Sequence, residues 1–86
     1  MPSSPGESAP PFADSLALVT GGTGMVGGAI SRLLIKRGDR VRVLVRRRSI
    51  AALELEALGA EIVFGDVTDI ASMTAAIGGC TDVYHC

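Results

Sequence analysis

The chain has 86 residues, of which 48% are apolar, and so short a chain buries only about 60–65% of its unfolded surface, which allows one domain of marginal size. With one Tyr, two Phe and no Trp, its core has to be built from Leu, Ile, Val and Ala, as in parallel sheets that are covered by helices. A formal net charge of −1, no apolar run near the roughly 18–20 residues that span a bilayer and no secretory signal argue against nucleic-acid or membrane partners and predict a cytoplasmic protein.

The predicted elements alternate between strands and helices along the chain. Residues 1–14, rich in Pro and Ser, are expected to form a flexible leader, and residues 15–86 the folded part. Apolar runs predict strands at residues 16–20, 41–45, 61–64 and 82–86. Helical spacing and capping signals predict helices over residues 25–37, from the cap Ser49 to Gly59 and from the cap Asp69 to Gly78.

The pattern of elements predicts the architecture. Short connections and right-handed crossovers give a parallel sheet with helices on both faces, and a central first strand gives the strand order 3-2-1-4. The carboxyl ends of the strands then meet at one crevice, which is where such sheets bind their ligands. The helix residues predicted to face the core are Val26, Ile30, Leu33, Leu34, Ile50, Leu53, Ala57, Leu58, Ile70, Met73, Thr74 and Ile77.

A glycine-rich stretch, TGGTGMVGG at residues 20–28, stands between the first strand and the first helix. Gly21 and Gly22 permit a tight turn there. Gly24 removes a side chain where a pyrophosphate would approach the main chain, Gly27 lets the helix lie close to the strand, and the free N–H groups of the first helical turn face the anion. The stretch predicts a dinucleotide site rather than a turn that binds nothing. The predicted binding residues are Gly21, Thr23, Gly24, Met25, Val26 and Gly27.

The end of the second strand indicates which dinucleotide to expect. In such sites an acid here bonds the ribose 2′-OH of NAD, whereas an arginine accommodates the 2′-phosphate of NADP. Val45 occupies the place of the acid and is followed by Arg46 and Arg47, whose guanidinium groups suit a phosphate in charge and geometry. NADP is therefore expected over NAD, although residues 46–48 also fit a solvated charge run at the start of a helix.

Asp66 and Val67 follow the third strand on the same side of the sheet. The Asp66 carboxylate could accept the adenine amino group while Val67 supplies a backbone contact, or Asp66 could instead brace the turn before the third helix. Because both residues follow the carboxyl end of a strand, we expect them to contact the ligand.

The remaining reactive side chains predict neither a catalytic nor a metal site. Cys80 and Cys86 are too few for a disulfide framework or a metal cluster and are expected to be reduced, partly buried thiols. His85, the one histidine, is expected to be a packed side chain on an apolar strand rather than a catalyst.

These motifs resemble the N-terminal part of the short-chain dehydrogenase/reductase superfamily, in its extended or atypical branch, which includes NAD-dependent epimerases and dehydratases. Residues 20–27 match its TGxxGxxG motif, and residues 43–46 resemble the second strand of NADPH-using members such as dihydroflavonol reductases. Residues 65–68 resemble its adenine-contacting segment and residues 83–86 its fourth strand. The resemblance implies a partial Rossmann fold and the NADP(H)-binding portion of an oxidoreductase, epimerase or dehydratase that transfers hydride on a carbonyl or hydroxyl carbon.

Catalysis in that superfamily uses a Ser or Thr and a Tyr-x-x-x-Lys pair, and its members are much longer than this chain. Here the only tyrosine is Tyr84 and the only lysine is Lys36, so no catalytic residue is predicted. We expect a dinucleotide-binding domain truncated after the fourth strand, whose partners are the cofactor and, in a longer parent, a small-molecule substrate. The alternative is a non-catalytic module that senses NADP or docks to another protein.

Overall fold

Seven elements alternate along the chain. The computed structural model describes residues 15–21 and 23–86, so the predicted leader and the turn residue Gly22 lie outside the described residues. The strands are β1 (Leu16–Thr20), β2 (Arg40–Val45), β3 (Glu61–Phe64) and β4 (Asp82–His85). The helices are α1 (Met25–Arg37), α2 (Ile50–Ala57) and α3 (Ile70–Ile77). Their order confirms the predicted alternation.

The four strands form one parallel sheet in the order β3-β2-β1-β4, which confirms the predicted topology. Val19 of β1 pairs with Val43 of β2 on one side and with Tyr84 of β4 on the other. All four strands therefore end at the same edge of the sheet. None of the helices in the described ranges has the length and apolar character needed to cross a bilayer.

Packed layers on both faces bury β1 along its whole length. Val19 lies in a cluster with Leu34 of α1 and Leu55 of α2, whereas Leu18, on the opposite face, packs with Ala76 of α3. Since successive side chains of a strand point to opposite faces, both sets of β1 side chains meet apolar neighbours. This accounts for the continuous apolar run that predicted the strand.

The predicted inward face of α1 was wrong at two positions, because Val26 and Leu33 are 63% and 68% exposed. The buried positions include Gly27, Gly28 and Ser31 instead. Leu34, which was predicted, is the fourth buried position of α1, so small size marks three of the four buried positions and hydrophobicity one. The hydroxyl of Ser31 donates to the carbonyl of Gly27 at 2.8 Å, so this buried polar side chain has a hydrogen-bond partner.

A different reason explains the errors on the two shorter helices. Ile50 and Ile70 are 77% and 83% exposed, while the buried positions are Ala52, Leu55 and Ala76. Both helices carry apolar side chains around much of their circumference, so spacing alone did not select the inward side. Further residues predicted to face the core but found exposed are Leu53, Ala57, Leu58, Thr74 and Ile77.

The predicted helix caps are confirmed. The Ser49 side chain accepts a hydrogen bond from the N–H of Ala52 at 3.1 Å, and the Asp69 carboxylate accepts one from the N–H of Ala71 at 3.2 Å. Gly38 ends α1 in the left-handed region, at φ 102°.

Candidate dinucleotide-binding site

A cavity of about 300 Å³ lies at the carboxyl edge of the sheet and receives residues from all four strand ends. The predicted site residues that line it are Gly21, Thr23, Arg46, Arg47 and Val67. Three segments that are distant in sequence are thus brought to one place, at the crevice that the topology predicts. The lining does not include Gly24, the N-cap of α1, the first helical residues Met25, Val26 and Gly27, or Asp66 after β3.

The chain's own packing requires a glycine at position 21. Gly21 has φ +70°, in the left-handed region, and a Cβ there would lie 2.8 Å from the carbonyl oxygen of Cys86. Its own carbonyl accepts a hydrogen bond from the N–H of Gly24 at 3.1 Å. The turn after β1 is therefore shaped by the approach of the end of β4.

Gly24 differs, because nothing in the described chain requires it to be a glycine. Its φ of −78° suits any residue, and a Cβ would meet only the carbonyl oxygen of Gly21, at the ordinary distance of 3.5 Å. The position is exposed. The space that a side chain would fill is thus left open, as close approach of a ligand to the main chain demands.

The start of α1 also suits an anion. Gly24 is the N-cap and offers no side-chain acceptor, whereas Ser49 and Asp69 cap α2 and α3 with their side chains. Helix geometry leaves the first backbone N–H groups without a partner inside the helix, and here these belong to Met25, Val26 and Gly27. The first turn of α1 contains no acidic residue that would compete with a bound phosphate.

Gly27, the glycine predicted to permit close packing of helix and strand, is buried.

The arginines after β2 lie in different surroundings. Arg46 and Arg47 are exposed and line the cavity, and the side chain of Arg46 is 73% exposed. Arg48 instead places its guanidinium carbon 6.0 Å from the centroid of the Phe64 ring, a cation–π contact outside the cavity. Two of the three arginines thus line the cavity, while the third packs on the protein surface.

Asp66 braces the turn after β3, which was one of its two predicted roles. Its Oδ1 atom accepts hydrogen bonds from the N–H of Thr68 at 2.9 Å and from the Thr68 hydroxyl at 2.8 Å. Its Oδ2 atom lies 3.8 Å from Nε of Arg46. The hydrogen bonds from Thr68, that of the backbone first, and the nearby charge of Arg46 lower the pKa of Asp66, so the carboxylate is charged at neutral pH.

His85 was not predicted as a site residue, yet it is exposed and lines the cavity. Its Nδ1 atom lies 2.6 Å from the hydroxyl oxygen of Thr20, the residue opposite it on β1, and Thr20 is buried. The position of His85 at the carboxyl end of β4 was the signal that could have identified it.

Cys86 also lines the cavity and, like Cys80, is a free thiol, although it is exposed rather than partly buried. Among residues 15–21 and 23–86, no group of three or more His, Cys, Asp or Glu side chains is arranged to hold a metal ion.

Comparisons with known proteins agree with this geometry. The chain is 41% identical over 68 residues to sterol demethylase protein B of Methylococcus capsulatus, a match that covers 79% of this chain and 20% of that protein. It is 37% identical over 81 residues to a (2S)-flavan-3-ol-forming anthocyanidin reductase of Vitis vinifera, covering 87% of this chain and 24% of the reductase. The solved structure of vestitone reductase from alfalfa superposes with a TM-score of 0.69 at 31% identity, covering 81% of this chain and 24% of that one.

The chain thus spans about a fifth to a quarter of the length of these relatives. The sequence model of the NmrA-like family matches residues 13–86. Together with the parallel sheet and the glycine-rich turn, this match shows that the chain belongs to the NmrA-like family, within the NAD(P)-binding Rossmann superfamily that its motifs resemble.

Proposed function

We propose that residues 15–86 bind NADP(H), in preference to NAD(H), as the cofactor-binding part of a reductase. The observation that supports this most strongly is the cavity that joins the turn after β1 to Arg46 and Arg47 after β2. A dinucleotide with a 2′-phosphate carries anionic groups that match both ends of such a cavity.

The pyrophosphate would be bound by the start of α1. The backbone N–H groups of Met25, Val26 and Gly27 belong to the first turn, where the positive end of the helix dipole favours an anion. Thr23 lines the cavity beside them, and the absent side chain of Gly24 would let the phosphates approach the main chain.

The adenosine end would be bound by the loops after β2 and β3. Arg46 and Arg47 would hold the 2′-phosphate through charged hydrogen bonds, and Val45 leaves no acid there to bond a free 2′-OH. Asp66 and Val67 would contact the adenine, since Val67 lines the cavity and Asp66 is fixed next to it.

The nicotinamide of the bound cofactor would supply or accept the hydride, on a carbonyl or hydroxyl carbon of a small-molecule substrate. The anthocyanidin and vestitone reductases to which the chain is similar support a reductase over an epimerase or dehydratase. The residues of this chain would hold and orient the cofactor, and none of them is proposed to exchange a proton with the substrate.

The test compares NADPH and NADH binding to Arg46→Ala and Arg48→Ala variants by isothermal calorimetry. Arg46→Ala should weaken NADPH binding by about 1–3 kcal/mol, the range for loss of a charged hydrogen bond, and leave NADH binding nearly unchanged. Arg48→Ala removes the same charge from a residue that packs on Phe64, and should change the affinity for neither cofactor by more than about 0.5 kcal/mol.

Equal losses for NADPH and NADH in Arg46→Ala would refute the 2′-phosphate assignment. Wild-type protein that unfolds cooperatively but binds neither cofactor would refute the proposed function as a whole.

A further inference from the structure

We infer that Asp66 is a specificity-determining residue: its carboxylate, held against Arg46, limits the preference of this site for NADPH over NADH. The inference rests on the proposed function, since it concerns the 2′-phosphate that distinguishes the two cofactors. The observation behind it is the approach of Asp66 Oδ2 to within 3.8 Å of Arg46 Nε, between the ends of β3 and β2.

The Asp66 carboxylate cannot turn away from Arg46 without losing other bonds. Its Oδ1 atom accepts both the N–H and the hydroxyl of Thr68, at 2.9 and 2.8 Å, which fixes the plane of the carboxylate. Oδ2 is the oxygen that remains next to the arginine. The Asp66 side chain is 39% exposed against 73% for Arg46, so the aspartate is the anchored partner and the arginine the adaptable one.

The closest approach to Asp66 is through Nε of Arg46, at a distance longer than a hydrogen bond. The terminal nitrogens of the guanidinium are therefore farther from the carboxylate and remain available for a phosphate. A 2′-phosphate bound there would share the arginine with a carboxylate of its own sign.

This arrangement penalises one cofactor only. The negative charge of Asp66 offsets part of the positive potential of Arg46 and repels a second anion, and such interactions fall off with distance and with salt. NADH carries no 2′-phosphate, so the charge of Asp66 does not weaken its binding in this way. An adenine contact of Asp66, by contrast, would act on both cofactors equally, because their adenines are identical.

The decisive variant is Asp66→Asn, which removes the charge but keeps an oxygen that accepts from Thr68. Dissociation constants for NADPH and NADH are measured for wild type, Asp66→Asn, Arg46→Ala and the double variant at low ionic strength. Asp66→Asn should raise the ratio of NADH to NADPH dissociation constants about two- to fivefold, the range for an exposed ion pair, and the gain should shrink as salt is added. In the Arg46→Ala background the same substitution should raise the ratio less, because the guanidinium whose potential Asp66 offsets is gone and only the direct repulsion between Asp66 and the phosphate remains.

A second variant, Asp66→Ala, should shift the ratio in the same direction, which guards against a local effect of the asparagine amide. A ratio that stays constant while both affinities change would overturn the inference, since Asp66 would then act on a part common to both cofactors. A lower ratio would also overturn it, because Asp66 would then be orienting Arg46 for the phosphate. Either result leaves the proposed function intact as long as Arg46→Ala weakens NADPH selectively. Failure of that selectivity refutes the assignment of Arg46 to the 2′-phosphate instead.

Discussion

Arg42 lies on β2, and Arg46 follows the end of the same strand, four residues later. The two arginines have different surroundings and therefore different uses. Arg42 is largely buried, with its side chain 15% exposed. One of its terminal nitrogens donates to the carbonyl oxygens of Ala76 and Gly78, at 2.7 and 2.8 Å, and its Nε donates to Glu61 at 2.9 Å. Arg42 therefore ties β2 to β3 and satisfies carbonyls at the end of α3.

Arg46 is the unsatisfied counterpart at the other end of the sheet. Its side chain is 73% exposed, and its nearest acidic atom lies 3.8 Å away. An arginine whose donors are used inside the protein contributes to stability, whereas one whose donors face a cavity is available to a ligand. Arg42 thus contributes to the stability of the sheet, whereas the side chain of Arg46 is exposed beside the cavity at the carboxyl edge.

The largest effect on stability is expected at Arg42. Arg42→Ala should lower the free energy of unfolding by about 2–4 kcal/mol, because the Gly78 carbonyl loses its donor, the Ala76 carbonyl keeps only the weak donor of the Cys80 thiol, and Glu61 loses its partner. Arg40→Ala, at the exposed start of the same strand, is the matched control and should cost less than about 0.5 kcal/mol. Urea unfolding measures both values. A loss of less than about 1 kcal/mol in unfolding free energy for Arg42→Ala would mean that water readily replaces these hydrogen bonds. Arg42 would then not differ from Arg46 in its contribution to stability.

Two glycines of the same turn offer the next test. Gly21→Ala should destabilise the protein by about 2–3 kcal/mol, since it combines a left-handed φ with a contact of 2.8 Å to the Cys86 carbonyl. Gly24→Ala should cost at most about 1 kcal/mol of stability, the effect of alanine at an N-cap, yet weaken both NADPH and NADH by more than about tenfold. Thermal unfolding and cofactor titration, run on the same samples, separate the two effects.

Gly78→Ala is the control for this pair, because it lies at the far end of α3 and its Cβ would meet only carbonyl oxygens at 3.4 and 3.9 Å. It should bind both cofactors like wild type. Full cofactor affinity in Gly24→Ala would show that the open space beside α1 is not used by the pyrophosphate.

The sequence was sufficient to predict the elements and their order, because β1 carries an unbroken apolar run and a glycine-rich turn follows it. It did not predict which side of each helix is buried. Gly28, Ser31 and Ala76 fill the helix–sheet contacts by being small, and size matters only once the distance between layers is known.

The sequence also did not predict the partners of polar side chains. The pairing of Thr20 with His85, 65 residues apart, depends on the register of β1 with β4. The bonds of Arg42 to the end of α3 depend likewise on how a helix lies across the sheet. Residues on one loop, such as the glycines after β1, could be assigned from spacing, whereas contacts between distant segments needed the fold.

The smallest expected effect is a pH dependence at Asp66, in the loop after β3. Thr68 and Arg46 lower the pKa of Asp66 from its ordinary value near 3.8, with the backbone hydrogen bond of Thr68 as the largest cause. A carboxyl group whose pKa is lower in the folded state contributes stability above its unfolded pKa. That contribution is lost as the pH falls through the folded pKa.

Thr68→Val removes the hydroxyl donor and keeps the backbone N–H, so it should raise the pKa of Asp66 part of the way towards its ordinary value. Titration of the Asp66 carboxyl carbon by NMR between about pH 6 and pH 2 measures this directly. The stability of wild type should then fall more steeply than that of Thr68→Val over the same acid range. Identical NMR titration midpoints of Asp66 in the two proteins would mean that the Thr68 hydroxyl does not hold the Asp66 carboxylate in place. The carboxylate would then move with Arg46 instead of keeping a fixed position beside it.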